Sequence, residues 1–179
     1  MIQEPSWSFI WSILSLNNSE GEELVGVPNY SNWTMFSRNS SQANDSSRVI
    51  TYINIHISSL CFSLQNDVLN HRDISCVSFF NCSSIYYLIN VYSDYSQLAL
   101  KNLKDTEVNI SNILIMTGDF KIRDNLWNLN FPYHSIYKNA LFDILDSFWL
   151  ELSKLAEFFP TRFSDNNQDS NSVLDLMFL

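Results

Sequence analysis

Two kinds of hydrophobic spacing alternate along this chain. Apolar residues at every second position, or in short unbroken runs, predict β-strands. These segments are 48–55, 73–80, 85–92, 112–116 and 172–179. The run at 85–92 is almost continuously apolar, which is typical of a strand covered on both faces.

Apolar residues at helical spacing occupy two further regions. Asp94 can cap a helix N-terminus, and it is followed by apolar residues on one helical face, namely Tyr95, Leu98, Ala99 and Leu103. A second helical face begins after Asn139 and comprises Leu141, Ile144, Leu145, Phe148, Trp149, Leu152 and Leu155, with Pro160 ending the region. Because strands outnumber helices and the two are mixed, we expect an α/β or α+β sandwich.

The composition is that of one folded domain. The chain has 179 residues, of which 46% are hydrophobic and 15% aromatic, so a substantial core is available over residues 1–179. The net charge is −9, and the ten Lys and Arg residues are scattered. This charge argues against a broad basic nucleic-acid surface, but it leaves room for an enzyme that holds phosphates through a metal and a few cations.

Neither a signal peptide nor a membrane span is indicated. The start of the chain lacks a basic segment and carries Glu4, and no apolar run approaches membrane length. We therefore expect an intracellular protein that is neither secreted nor bound to a membrane. Cys61, Cys76 and Cys82 lack metal-type spacing and are interpreted as reduced thiols.

Two acidic residues stand at predicted strand ends. Asp119 follows Gly118 after the strand at 112–116, and Glu4 is followed by Pro5, which stops a strand. Open α/β sheets bind ligands at the carboxyl ends of their strands, and Mg²⁺ is typically held by one or two carboxylates. Each acid alone also has a simpler interpretation, as a turn residue or a solvated glutamate near a terminus.

Tyr92 and Asp175 are weaker candidates. Tyr92 ends a predicted strand, where its hydroxyl could bind a phosphate oxygen or simply be hydrated at the edge of the core. Asp175 lies in an apolar strand, where an acid is costly unless it is paired, so we expect it to orient a histidine or an arginine. No Gly-x-Ser-x-Gly elbow is present, and with only three glycines there is no phosphate-binding loop.

Six short motifs, taken in order, are more informative than any one of them. The segments IQEP, RVITYINI, YLINVYS, IMTGDF followed by LW, PTRFS and SVLDLMFL resemble the endonuclease/exonuclease/phosphatase superfamily. The resemblance spans nearly the whole chain and is greatest to the endonuclease domains of fungal LINE-like (non-LTR) retrotransposons. It implies a DNase I-like fold of two packed mixed β-sheets flanked by helices. It also implies nicking of DNA that depends on Mg²⁺, or on Mn²⁺, with no small-molecule cofactor and a location in the nucleus.

The resemblance assigns roles to individual residues. Glu4 matches the metal-binding glutamate, and Tyr92 matches the tyrosine beside the scissile phosphate. Asp119 matches the aspartate that positions the attacking water, and Asp175 matches the acid that orients the catalytic histidine. Lys121 stands where the family has asparagine, and it is interpreted as drift after selection relaxed, or else as a substitute phosphate contact.

Two departures from the family pattern lower the expected activity. Lysine only donates hydrogen bonds, and at about 4 Å its charge would repel a cation by about 4 kcal/mol at an effective dielectric near 20. The resemblance also implies a strand before Met1 and a Ser-Asp-His ending after Leu179, so the domain is expected to be truncated at both ends. We therefore expect an endonuclease-type domain that is weak or inactive. The alternatives are a non-enzymatic transposon-derived remnant, or a phosphatase or exonuclease of the same superfamily.

Overall fold

The structure is a computed structural model that describes eleven stretches of the chain. These are residues 2–3, 32–38, 47–57, 60–81, 83–94, 96–105, 112–122, 124, 126, 135–153 and 175–179. Within them the chain forms two β-sheets and two α-helices.

The smaller sheet has three described strands in the order β1-β3-β2. They are β1 (Ile2–Gln3), β2 (Trp33–Phe36) and β3 (Val49–Asn54), and both neighbouring pairs are antiparallel. The strand predicted at 48–55 is confirmed as β3. The short outer strand β2 was not predicted, because it has only four residues and its exposure does not alternate.

The larger sheet has five strands in the order β4-β5-β6-β7-β8. They are β4 (Phe62–Leu64), β5 (Ile74–Asn81), β6 (Ser84–Tyr92), β7 (Ile113–Asp119) and β8 (Asp175–Phe178). All neighbouring pairs are antiparallel except β6 and β7, which are parallel because helix α1 (Leu98–Asp105) connects them. The predicted strands at 73–80, 85–92 and 112–116 are confirmed, and the strand predicted at 172–179 is confirmed over residues 175–178, since residues 172–174 lie outside the described residues; β4 was missed.

The two sheets pack face to face through β3, β5 and β6. Between them lie buried polar side chains that satisfy one another. Asn90 Nδ2 donates to the Ile50 carbonyl at 3.3 Å, and Thr51 Oγ1 donates to Ser75 Oγ at 3.1 Å. Buried polar groups are costly without partners. These hydrogen bonds therefore favour one relative position of the two sheets, the one in which every donor meets its acceptor.

Both described helices cover the other face of the five-stranded sheet. Helix α1 and helix α2 (Lys138–Phe148) bury their apolar faces against β5, β6 and β7. The residues at the centre of this layer are Cys76, Ile89, Val91, Ala99, Leu100, Leu103, Met116, Leu141, Ile144 and Leu145. Neither described helix is long and apolar enough to cross a membrane. The predicted sandwich of two sheets with flanking helices is confirmed.

Two helix boundaries differ from the prediction. Helix α1 begins at Leu98, and Asp94 does not cap it, because the Asp94 carboxylate accepts hydrogen bonds from the Ser96 N–H at 2.9 Å and from Arg48 at 2.9 Å. Helix α2 ends at Phe148, since Trp149 adopts a left-handed conformation with a φ of 57°. The next residues pair with β8, as shown by the Leu152 bridge to Phe178. The apolar spacing therefore continues beyond the helix although the helix does not.

The parallel pair β6 and β7 comes unusually close at Gly118. A Cβ at this position would lie 1.8 Å from the Val91 carbonyl oxygen, well inside van der Waals contact. Glycine is therefore required by the neighbouring backbone, and the residue that precedes Asp119 is determined by packing.

We predict that Gly118→Ala is strongly destabilising. The added methyl group forces the two central strands apart, and overpacking plus backbone strain should lower the free energy of unfolding by about 2–5 kcal/mol. Urea denaturation followed by circular dichroism measures this loss. Leu114→Ala, on the same strand at a side chain that is 45% exposed, serves as the control and should cost under about 1 kcal/mol. Equal stability of Gly118→Ala and the parent chain would contradict the close approach.

The two described cysteines should differ in reactivity. Both are free thiols, but Cys61 is exposed and Cys76 is buried, and burial raises the pKa of Cys76 to about 12. At about pH 8 an aromatic disulfide reagent should modify Cys61 in the native protein and Cys76 only after unfolding, because the thiolate is the reactive form. The measurement uses a Cys82→Ser background, with Cys61→Ser as the matched variant. Rapid native labelling of Cys76 would contradict its position in the core.

Candidate functional site

Three of the residues singled out by sequence lie in one row across the larger sheet. Tyr92 is the last residue of β6 and pairs in register with Asp119, the last residue of β7. Asp119 in turn pairs with Asp175, the first residue of β8. Because β6 and β7 are parallel, their carboxyl ends reach the same edge of the sheet, as expected for a ligand site in an α/β fold. Lys121 follows the end of β7 by two residues. We refer to Tyr92, Asp119 and Lys121 together as the strand-end site.

Both oxygens of the Asp119 carboxylate are held by the same residue. The Lys121 backbone N–H donates to Oδ1 at 3.1 Å, and the Lys121 ammonium lies 2.5 Å from Oδ2. Lys121 has a φ of 50°, the left-handed conformation that glycine and asparagine adopt more readily than lysine. This backbone turn folds the lysine side chain back onto the acid two residues earlier.

Tyr92 lies beneath two cations. Its ring centroid is 4.8 Å from the Arg48 guanidinium carbon and 5.7 Å from the Lys121 ammonium, and its side chain is 4% exposed. Contacts of this kind are attractive because the ring face is electron-rich. The tyrosine therefore holds Arg48 and Lys121 close to the same strand ends.

Arg48 is itself held by two acids. Its guanidinium donates to both oxygens of Asp73 at 2.5 Å and to Asp94 at 2.9 Å. The Asp73 side chain is 3% exposed, so the pair is a bidentate contact that is buried on the acid side. Hydrogen bonding to Asp73 raises the pKa of Arg48, whereas the Ser96 hydroxyl and then Arg48 lower the pKa of Asp94.

His71 belongs to the same group of charges. Its Nδ1 accepts a hydrogen bond from the Asp73 backbone N–H at 3.2 Å, and burial is the main cause that lowers its pKa, with the Asp73 carboxylate opposing that effect. The neutral imidazole is therefore favoured, and it serves as an acceptor within this network.

The segment after Asp119 is anchored from both helices. The Gln97 side chain at the start of α1 donates to the Phe120 carbonyl at 3.4 Å. Lys138, the first residue of α2, lies 3.0 Å from the fully buried Asp124. Phe120 itself is fully buried against Phe178. Lys121 thus lies between the buried Phe120 and the buried, ion-paired Asp124, which restrict the backbone on both sides of it.

The remaining predicted residues are only partly described. Glu4 lies outside the described residues, and for Asp175 the structure describes the backbone alone. The roles assigned to Glu4, Tyr92, Asp119, Lys121 and Asp175 stay predictions.

The described residues do not provide a metal site. No group of three His, Cys, Asp or Glu side chains within the described stretches could hold a metal ion. Asp119 contributes one carboxylate, and both of its oxygens already bind Lys121. A divalent cation at Asp119 would also meet the positive charge of the Lys121 ammonium, which lies 2.5 Å from Oδ2, so the donor set of the described residues does not fit Mg²⁺.

Sequence reasoning missed Arg48 and Asp73. Each stands directly before a strand, β3 or β5, and the two are 25 residues apart in the chain. Charged residues before strands are common, and nothing in the local sequence indicates that these two meet. What the sequence shows of them is their position at the start of two predicted strands.

The Arg48–Asp73 pair should be important for stability. Arg48→Met leaves the buried Asp73 carboxylate without its cation and should lower the free energy of unfolding by about 2–4 kcal/mol, less than for a fully buried pair because Arg48 is partly exposed. The double variant with Asp73→Asn should lose less than the sum of the two single variants, with a coupling of about 1–3 kcal/mol. Urea denaturation of all four chains measures this cycle.

An exposed ion pair provides the control. Lys104 lies 3.0 Å from Asp143, and both side chains are more than half exposed. Lys104→Met should therefore cost under about 1 kcal/mol. If Arg48→Met costs no more than Lys104→Met, the interpretation of Arg48 as a structural anchor is wrong.

Comparison with known proteins shows the fold of the chain. No protein-family model matches the sequence, and no curated protein does. The structure is similar to the endonuclease domain of TRAS1, a telomere-specific non-LTR retrotransposon, with a TM-score of 0.65 and 16% sequence identity. The match covers 83% of this chain and 67% of that one. The chain therefore has the DNase I-like α/β sandwich that the sequence motifs predict.

Proposed function

We propose that this chain is a nuclease-type domain that contacts DNA at the strand-end site and cleaves phosphodiester bonds weakly or not at all. The observation that carries the proposal is the register of Tyr92 and Asp119 at the carboxyl ends of two parallel strands. The resemblance to LINE-like endonucleases and the similarity to the TRAS1 endonuclease domain support the same class of substrate.

The chemistry of the site suits a phosphodiester. Lys121 brings an ammonium to the face of the Tyr92 ring, and its N–H groups can donate to an oxygen of the phosphate backbone. Asp119 is the acid that would hold an attacking water by accepting its hydrogen bond. These groups come from different strands and loops that are anchored in the core, so their arrangement is rigid.

Low activity is expected because the Asp119 carboxylate already binds Lys121. An attacking water has to share the carboxylate with the backbone N–H and the ammonium of Lys121, which bind one oxygen each, so it competes with a charged donor for the base. The loss of a positioned base commonly lowers a rate by about 10²–10⁴-fold. Any cleavage that remains is proposed to depend on Mg²⁺, with Glu4 as a ligand of the ion.

Plasmid nicking tests the proposal. Supercoiled DNA is incubated with the parent chain, with Lys121→Asn and with Lys121→Asn/Asp119→Ala, each in Mg²⁺ and in EDTA. We expect barely detectable relaxation by the parent chain. Lys121→Asn should gain no more than about tenfold, because members of one catalytic site act as a unit and restoring one recovers little.

The double variant is the control for the role of Asp119. Removing this acid should abolish whatever nicking Lys121→Asn acquires, while circular dichroism confirms that the fold is retained. Robust nicking by the parent chain would contradict the inhibitory interpretation of Lys121. A gain that survives Asp119→Ala would show that the cleavage arises elsewhere.

A further inference from the structure

The two side chains of the Lys121–Asp119 ion pair differ in their exposure to solvent. The Lys121 side chain is 23% exposed and the Asp119 side chain 14%, so the lysine is the more accessible partner. The lysine side chain therefore offers more surface to a ligand at the strand ends than the carboxylate does. The Lys121 ammonium is the group through which the strand-end site can contact an anion, although the overall charge of the chain is −9.

The ammonium also has capacity for a further partner. Lysine carries three donors, and within the described part of the chain Asp119 Oδ2 is the acceptor that Lys121 Nζ contacts. The Tyr92 ring lies 5.7 Å away and accepts no conventional hydrogen bond from it. The remaining N–H groups can bind a ligand oxygen without breaking the contact with Asp119.

The position of the ammonium is fixed before any ligand binds. The left-handed turn at Lys121, the carboxylate of Asp119 and the face of Tyr92 all restrict the side chain. A long lysine normally loses considerable conformational entropy when it is immobilised by a ligand, and here much of that loss has already occurred on folding. A single preorganised cation is therefore more effective than one on a free surface.

In this arrangement the Asp119 carboxylate is already paired with the Lys121 ammonium. We propose that the Lys121 ammonium takes the place of a divalent metal as the positive charge at Asp119, and that the strand-end site thereby binds DNA phosphate without a metal. This inference rests on the proposed function, because it takes DNA as the ligand. It goes beyond that function in making the binding of phosphate independent of metal.

Lys121→Asn is well suited as a test variant. Asparagine tolerates the left-handed conformation better than lysine does, so the turn should be retained. The substitution removes the ammonium and leaves Asp119 Oδ2 without its cation. Lys121→Gln, which keeps a longer uncharged side chain, is a second variant in case the first is altered in folding. Lys101→Asn, which removes an exposed lysine on α1, controls for the change in net charge.

The experiment measures binding of a short fluorescein-labelled DNA duplex by anisotropy, in EDTA and in millimolar Mg²⁺, over a series of salt concentrations. The parent chain should bind in EDTA, and millimolar Mg²⁺ should not strengthen that binding, since Mg²⁺ only competes for the DNA phosphates. In EDTA, Lys121→Asn and Lys121→Gln should bind about tenfold more weakly, the loss expected for one hydrogen bond to a charged group. Their plots of log affinity against log salt should be shallower by about one unit, which is the signature of one lost phosphate contact.

Three results would overturn the inference. One is parent-chain binding that strengthens several-fold in Mg²⁺. Another is a salt slope in Lys121→Asn that equals the slope in Lys101→Asn. In both cases the chain still binds DNA, so the proposed function stands and only the role of Lys121 fails. The third is an absence of binding by the parent chain at low salt, which removes the proposed function together with the inference.

Discussion

The close parallel contact between β6 and β7 is the constraint on which the rest of the structure depends. These strands join the antiparallel part of the larger sheet, β4 to β6, to the pair β7 and β8. The backbones approach so closely at Val91 and Gly118 that no side chain fits there. Since both strands are parallel, the same contact also places Tyr92 beside Asp119 at the site edge. The pairing of β6 with β7 at Gly118 is therefore required both for the packing of the core and for the geometry of the strand-end site.

The second constraint acts across the sandwich. Arg48 precedes a strand of the smaller sheet and Asp73 precedes a strand of the larger one, so their bidentate contact joins the two sheets beside the strand-end site. A backbone hydrogen bond from Arg48 N–H to the Arg72 carbonyl at 2.9 Å reinforces the junction. Desolvating the acid is costly, and the geometry of the pair offsets that cost. The result is an edge that supports Tyr92 and, through it, Lys121.

The sequence predicts those parts of the fold that have a local cause. Strands β5, β6 and β7 are long and apolar, so their existence and the end of β6 at Tyr92 were predictable, whereas β7 continues from the predicted end at residue 116 to Asp119. Strands β2 and β4 are too short to show a period. The end of α2 was also missed, because Trp149 takes the left-handed position without the glycine that usually signals it. The Arg48–Asp73 pair was not predictable, since a contact between charges 25 residues apart leaves no pattern in the local sequence.

At position 121 the backbone conformation and the charge of the side chain are two separate properties. Its left-handed φ of 50° is a requirement of the turn that follows β7, and asparagine satisfies it without adding charge. Lysine satisfies it at greater conformational cost and brings an ammonium to a carboxylate that already accepts its own backbone N–H. From the sequence alone, this lysine is a charge somewhere near an acid. In the fold it is a cation held on that acid, so one substitution converts a carboxylate able to receive an external cation into one already paired with a cation of the chain.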